Sequence, residues 1–233
     1  MHSDSLIAAG KPLLRRTVRH ALVGRSRSKS DATAGRFTRA DADRLLDETW
    51  ERFLGLARTR PREPTLGARQ NVLLAALTVA FFRALLVRGV ERTYAIELVG
   101  DAAWRIYARW GRLAVVITAL PGGPPATRLR RRVNLFLRYP FGRPGYLYRD
   151  REEPRGRAFD MVRCPIAEYM RGQDAGDLCV GTWCNLDFPL ATMWGGHLER
   201  EGTLAGGAPA CDFRFVAGPG SGAARRPRSR NAA

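Results

Sequence analysis

The sequence predicts an α+β fold, with an N-terminal helical layer packed on a small antiparallel sheet with short interspersed helices. Three observations predict it. Between residues 38 and 120 apolar residues recur at helical spacing over long stretches. Beyond residue 140 the pattern changes to short runs bounded by Gly, Pro and Asp, as strands and turns require. Helices come first and strands later, an order typical of α+β rather than of alternating βαβ units. Hydrophobic residues make up 45% of the 233-residue chain, enough to build a core rather than a disordered polymer.

The chain divides into a basic, largely disordered N-terminal extension (1–36), a single α+β domain (37–217), and an Arg-rich tail expected to be disordered (218–233). Within the domain, residues 37–140 are helical and residues 141–217 hold the cysteine-containing α/β part. In the extension, Pro12 to Val23 predicts a short basic amphipathic helix with Leu13, Leu14, Val18, Ala21 and Leu22 on one side. Arg25 to Gly35 has the composition of a linker.

Thr38 followed by Asp41 resembles a capping box and starts the first domain helix, which carries Leu45, Leu46, Phe53 and Leu56. Gly67 to Arg88 reads as a buried helix closed by Gly89. Its apolar run, Val72 to Val87, contains Arg83 and is shorter than the ~20 residues of a membrane span. A third helix runs from Glu91 to about Leu120 and stops at the Pro/Gly cluster 121–125. Leu129 to Tyr139 is a basic helical segment. Tyr146 to Arg149 and Ala158 to Arg163 are predicted strands around a polar turn. Pro165 to Arg171 predicts a short helix, and Ala175 to Asp187 another. Pro189 to Trp194 follows as a further turn of helix. His197 to Leu204 and Ala210 to Val216 predict an antiparallel pair.

The formal net charge is +17, and Lys11 and Lys29 are the only lysines. Such an arginine excess has two readings. One is affinity for nucleic acid or an anionic surface. The other is a genome rich in Arg, Ala and Gly codons, favoured here because the basic runs lack interleaved aromatic platforms. Residues 1–10 lack the layout of a secretory signal. The cysteines are therefore expected as reduced thiols in a cytoplasmic protein.

All four cysteines, Cys164, Cys179, Cys184 and Cys211, lie in one stretch whose charge is reversed. Cys164 to Val216 holds three Arg against seven acids, a net of −4. Cys164 directly precedes Pro165, which places it at a helix N-cap, where free amides and the helix dipole lower a thiol pKa. The competing reading is a small buried residue at a strand-to-helix corner. Cys184 and Asp187 are three apart on a predicted helix, so thiol and carboxylate share a face. Asp187 has an alternative role as a cap for the helix at Pro189. Cys179 is five residues before Cys184 and on a regular helix turns away from it, which assigns it to the core. Cys211 alternates with Phe213 and Phe215 and faces inward on its strand. His197, at a strand start, is read as a structural residue. Four thiols and a histidine are enough for zinc, but the spacings contain no C-x2-C pair, so metal is disfavoured and no cofactor is expected. Phosphate-loop, dinucleotide, nucleophile-elbow and metalloprotease motifs are absent.

Val162-Arg163-Cys164-Pro165, Cys184 with Leu186-Asp187, Gly202-Thr203-Leu204 and Cys211-Asp212-Phe213-Arg214 together resemble the L-2-amino-thiazoline-4-carboxylic acid hydrolase family. The resemblance spans roughly Ala68 to Phe215 and is specific from Phe159 onward. It implies hydrolysis of a cyclic amidine C–N bond, opening a 2-amino-thiazoline-4-carboxylate-like ring to an S-carbamoyl-cysteine-like product. It falls on Cys164, Cys184, Asp187 and Cys211 and leaves out Cys179 and His197. The expected site then has Cys164 as nucleophile and Asp187 as proton-transfer group, with Cys184 and Cys211 lining a substrate pocket. Two alternatives are a non-catalytic α+β module binding a metal or small ligand through its cysteines, and an accessory protein binding acidic partners through its Arg-rich ends.

Overall fold

Two layers, one of long helices and one a four-stranded antiparallel sheet, close on a shared core in a computed structural model that describes residues 2–119 and 122–218, with side chains from residue 11 onward. The α+β reading holds. The helices are α1 (His2–Leu22), α2 (Arg39–Thr59), α3 (Leu66–Val87), α4 (Arg92–Ile117) and α5 (Pro125–Arg138). The sheet follows with β1 (Leu147–Arg151), β2 (Gly156–Arg163), β3 (Gly196–Glu199) and β4 (Cys211–Ala217), in the order β1-β2-β4-β3. The short helices α6 (Pro165–Arg171), α7 (Gly176–Cys179) and α8 (Asp187–Met193) fill the link between β2 and β3.

The start of α2 is the capping box read from Thr38 and Asp41. Asp41 N donates to Thr38 Oγ1 at 3.1 Å, and Thr38 N donates to Asp41 Oδ2 at 2.8 Å. Helix α3 is the axis of the helical layer. Val72, Ala75, Ala76, Val79, Phe82 and Leu85 are all buried, and it packs against α2, α4 and α6. At 22 residues it is the one helix among those described long and apolar enough to cross a membrane, longer than its apolar run suggested. In the fold more than half of its most apolar stretch is buried by neighbouring helices. Arg83 on α3 is satisfied by the Gln173 carbonyl at 2.9 Å. After α3, Gly89 takes φ +78°, the left-handed turn that glycine allows at low cost.

The N-terminal region differs from its reading as a loose extension. Helix α1 begins well before Pro12 and buries Val18, Ala21 and Leu22 against the helical layer. The Arg25–Gly35 stretch, expected as a linker, is held by Glu91 at the start of α4. That carboxylate accepts from Lys29 N and Ser30 N, each at 3.1 Å, and from the hydroxyls of Ser28 and Ser30. Tyr94 Oη adds a 2.9 Å bond to the Ser26 carbonyl. Linker composition in one segment carries no signal of a carboxylate about sixty residues away that satisfies its amides. The tail from residue 219 lies outside the described residues.

In the sheet, β2 and β4 pair centrally, with Met161 opposite Cys211 and Phe159 opposite Phe213. The Phe159 and Phe213 rings stack at 4.9 Å on the face turned to the helices. The outer face carries ion pairs, including Arg214 with the buried Glu153 at 2.5 Å. The α4–α8 contact depends on Gly111, where a Cβ would lie 2.5 Å from Leu190 Cδ1 and 3.0 Å from Met193 Sδ. Gly111→Ala is therefore expected to lower stability by roughly 1–3 kcal/mol despite alanine's better helix propensity, read as a fall in the denaturation midpoint. A midpoint equal to or above wild type would show that α8 can shift freely.

Candidate active site

Cys164 directly follows β2 and is the N-cap residue of α6, with Pro165 in the first turn. Chain geometry there is as the sequence predicts. The electrostatic outcome is the reverse. Burial pushes the Cys164 thiol up, and the Ala167 and Ile166 amides offset this only in part. A helix end donates usefully to a thiolate only if solvation lost on burial is recovered, and α6 has just seven residues.

The predicted helix over Ala175 to Asp187 is not continuous. After α7 the chain widens into a π-turn, Val180–Cys184, marked by Asn185 N donating to Val180 O at 3.2 Å. Gly181 permits close approach to α4, because a Cβ there would lie 2.3 Å from Ile96 Cγ2. The extra residue in the turn rotates Cys184 back towards Cys179. Cys179 belongs to the core, as its sequence position suggests, and it also lines the same cavity as Cys184. Regular-helix phase fails here because the helix is not regular.

Asp187 is the first residue of α8 and makes no capping bond. Its carboxylate turns inward instead. Tyr107 Oη of α4 donates to Oδ1 at 3.4 Å, and Arg200 Nη1 donates to Oδ2 at 3.2 Å. Arg200 lies just after β3, with only 2% of its side chain exposed. Its Nη2 donates to the Cys184 carbonyl at 2.9 Å, and its guanidinium lies between the rings of Phe188 and Phe213, 5.0 and 5.2 Å from their centroids. Cys211 is buried on β4 beside Phe213, facing inward as predicted, and its Sγ accepts from Leu204 N at 3.2 Å.

These groups meet on one cavity of about 90 Å³ between the inner sheet face and the helices. All four cysteines and Asp187 line it, with Tyr107, Trp183 and an aromatic wall from Phe136, Trp194 and Phe213. The ring of Phe136 meets Trp194 edge-on at 4.7 Å. His197 is elsewhere, on the edge strand β3, facing the Gly218 carbonyl and Glu199. Among the described residues no group of three or more His, Cys, Asp or Glu is arranged to hold a metal ion.

The environment separates the four thiols. Cys184 is lowered from its ordinary value, chiefly because the Cys179 thiol donates to it, with further help from the Arg200 cation and Thr203. Cys179, as the donor in that pair and buried, is raised well above. Burial pushes Cys211 up to about 12. Burial likewise pushes Asp187 up to about 6, against the opposing pull of Arg200 and Tyr107. The cavity thus offers one thiol biased towards thiolate beside a carboxyl that can carry a proton near neutrality, an arrangement suited to nucleophilic attack with proton transfer.

Sequence reasoning passed over three of these residues. Cys179 was excluded by phase. Tyr107 lies in the helix expected from Glu91 to about Leu120 and has no site role in the sequence reading. Arg200 enters the sequence reading only as charge, inside a strand expected to run to Leu204 but ending at Glu199.

Residues 143–215 match the model of the L-2-amino-thiazoline-4-carboxylic acid hydrolase family. The match holds every cysteine, Asp187 and Arg200. It starts later than the span from Ala68 given by the resemblance, so Tyr107 and the rest of α4 lie outside it. No curated protein and no solved structure gives a significant match to the chain.

Two outcomes follow from the electrostatics. Iodoacetamide at neutral pH should label Cys184 ahead of the other thiols by mass spectrometry, and Arg200→Gln should slow that labelling by raising the thiol pKa. Preferential labelling of Cys164 would contradict the ordering. Separately, Asp187 binds its proton more tightly in the fold than in the unfolded chain, where its pKa is near 3.8. The folded state therefore holds the extra proton between about pH 4 and 6, and stability falls as pH rises through that window. In Asp187→Asn this pH-dependent part, on the order of 3 kcal/mol, should vanish from urea titrations compared across that range. An unchanged slope would place the Asp187 pKa at its ordinary value.

Proposed function

We propose that the protein is a hydrolase of small cyclic amidines, opening a 2-amino-thiazoline-4-carboxylate-like ring to an S-carbamoyl-cysteine-like product. The observation that carries this reading is the single cavity lined by Cys184 and Asp187, both held by the same Arg200 guanidinium, which donates to the Cys184 carbonyl and to the Asp187 carboxylate. The family match over residues 143–215 supports the same chemistry.

In the proposed sequence, Cys184 thiolate forms a bond to the amidinium carbon, and the C=N electron pair moves onto nitrogen. Protonated Asp187 gives its proton to the ring nitrogen. The carbon–nitrogen bond breaks, the amine leaves on the substrate's own chain, and the exocyclic nitrogen restores a C=N bond in the enzyme-linked intermediate. Asp187, now a carboxylate, takes a proton from water as that water adds to the same carbon. Collapse expels Cys184 as thiolate, and the proton of the new hydroxyl passes to the released amine, leaving a carbamoyl group on the substrate sulfur. Arg200 holds Asp187 in place and favours the thiolate, and Tyr107 hydrogen-bonds the carboxylate from the helical side. The aromatic wall keeps bulk water from the intermediate. Cys164 and Cys211, with raised pKa values, serve as cavity walls in this scheme.

The test is steady-state turnover of 2-amino-thiazoline-4-carboxylate with intact-mass trapping of an adduct. Asp187→Asn should lose on the order of 10²–10⁴ in kcat. Cys184→Ser should abolish both turnover and adduct, whereas Cys164→Ser should keep activity within several-fold. Full turnover by Cys184→Ser would sink the covalent route, and full turnover by Asp187→Asn would sink the assignment of the carboxyl.

A further inference from the structure

Away from this cavity, α1 and α4 enclose an open cleft of about 720 Å³ with an uneven charge balance. Arg16 and His20 enter it from α1, and Arg105, Arg109 and Arg112 from α4. None of these five has an ion-pair or hydrogen-bond partner among the described residues. Their neighbours do. Lys11 pairs with Asp47, Arg19 with Asp43, and Arg25 with Asp101. Arg105, Arg109 and Arg112 recur at helical spacing, so their positive charges repel along one stripe with no carboxylate between them. Such a stripe is stable only beside solvent and is relieved by an anion.

The adjacent stripe of the same helix is apolar and exposed. Trp110, Leu113, Val116 and Ile117 present large side chains to solvent, with Val116 70% and Ile117 57% exposed. Trp110, Leu113 and Ile117 also wall an apolar recess of about 180 Å³ between α3, α4 and α5. A nucleic acid would engage the cleft and leave this stripe wet. A phosphate-bearing hydrocarbon surface engages both, and such paired signals are what reversible attachment to a bilayer requires.

We infer that the exposed face of α4, together with the α1 cleft, docks on an anionic phospholipid bilayer. Phosphates enter the arginine cleft, and Trp110, Leu113, Val116 and Ile117 rest in the headgroup–acyl boundary. The arginine cleft shares no residue with the thiol cavity, whereas the apolar recess shares Tyr107, Phe136 and Trp183 with it; the inference does not rest on the hydrolase reading.

Co-flotation of the full chain with vesicles tests it, using phosphatidylcholine alone and equimolar phosphatidylcholine–phosphatidylglycerol. Binding to the anionic vesicles only is expected. Changing Arg105, Arg109 and Arg112 together to Gln should lower that affinity on the order of a hundredfold. Trp110→Ser with Leu113→Ser should weaken it while leaving its salt dependence unchanged. All five positions are exposed, and unaltered circular dichroism controls for folding. Absence of binding to anionic vesicles overturns the inference. So does binding insensitive to the Trp110/Leu113 pair and matched by equal affinity for double-stranded DNA, which would make the cleft a general polyanion site.

Discussion

The buried pair of Asp187 and Arg200 is the constraint around which the cysteine-containing half is arranged. A guanidinium with 2% of its side chain exposed needs a charge partner and polar or aromatic neighbours, and Arg200 finds them in three elements. It reaches the Asp187 carboxylate on α8, the Cys184 carbonyl on the π-turn, and the Phe213 ring on β4. Loss of one member of such a pair typically costs about 3–5 kcal/mol because the other is left charged in a poor solvent. The pair is therefore weak evidence for stability and strong evidence for position. It holds the start of α8, the end of the π-turn and the inner sheet face in one register.

From that register follows the difference among chemically identical thiols. Each lines the same cavity, yet Cys184 alone combines a cation, a donating neighbour thiol and a donating hydroxyl. The π-turn is what brings Cys179 within reach, and Gly181 is what allows the turn to sit against Ile96. Cys164 shows the opposite case. A helix N-terminus is an anion site only when its donors outweigh desolvation, and at Cys164 they do not. Proximity to a helix start is a weaker predictor of a reactive thiol than the count of donors and cations around it.

What could be read from the chain depended on how local the cause was. The capping box at Thr38, the stop at Gly89, the inward face of Cys211 and the strand-to-helix corner at Cys164–Pro165 are settled by neighbours within a few residues, and each lies where the pattern put it. The misreadings had distant causes. Glu91 orders residues 28–30 across more than sixty positions, and Tyr107 meets Asp187 across eighty. The phase of Cys179 was wrong because a single inserted residue in the turn is invisible to a fixed period of 3.6. Arg200 was hidden because charge counting treats a buried guanidinium and a solvated one alike.

The acidic island around the cysteines also changes meaning once its members are placed. Asp212 accepts the Glu201 and Gly202 amides, at 2.7 Å for the latter, and so shapes the turn before β4. Asp177 pairs with Arg92, Glu168 with Arg163, and Glu199 with Arg214 and His197. Asp177 and Glu168 thus complement arginines from outside the island, whereas Glu199 pairs within it. Among the acids of the island Asp187 alone lines the thiol cavity, where burial rather than neighbouring acids sets its proton affinity. Most of the island's acids are therefore engaged in local turns and ion pairs rather than in the cavity. Around that cavity, among the described residues, a carboxylate, an arginine and a thiol are withdrawn from water together.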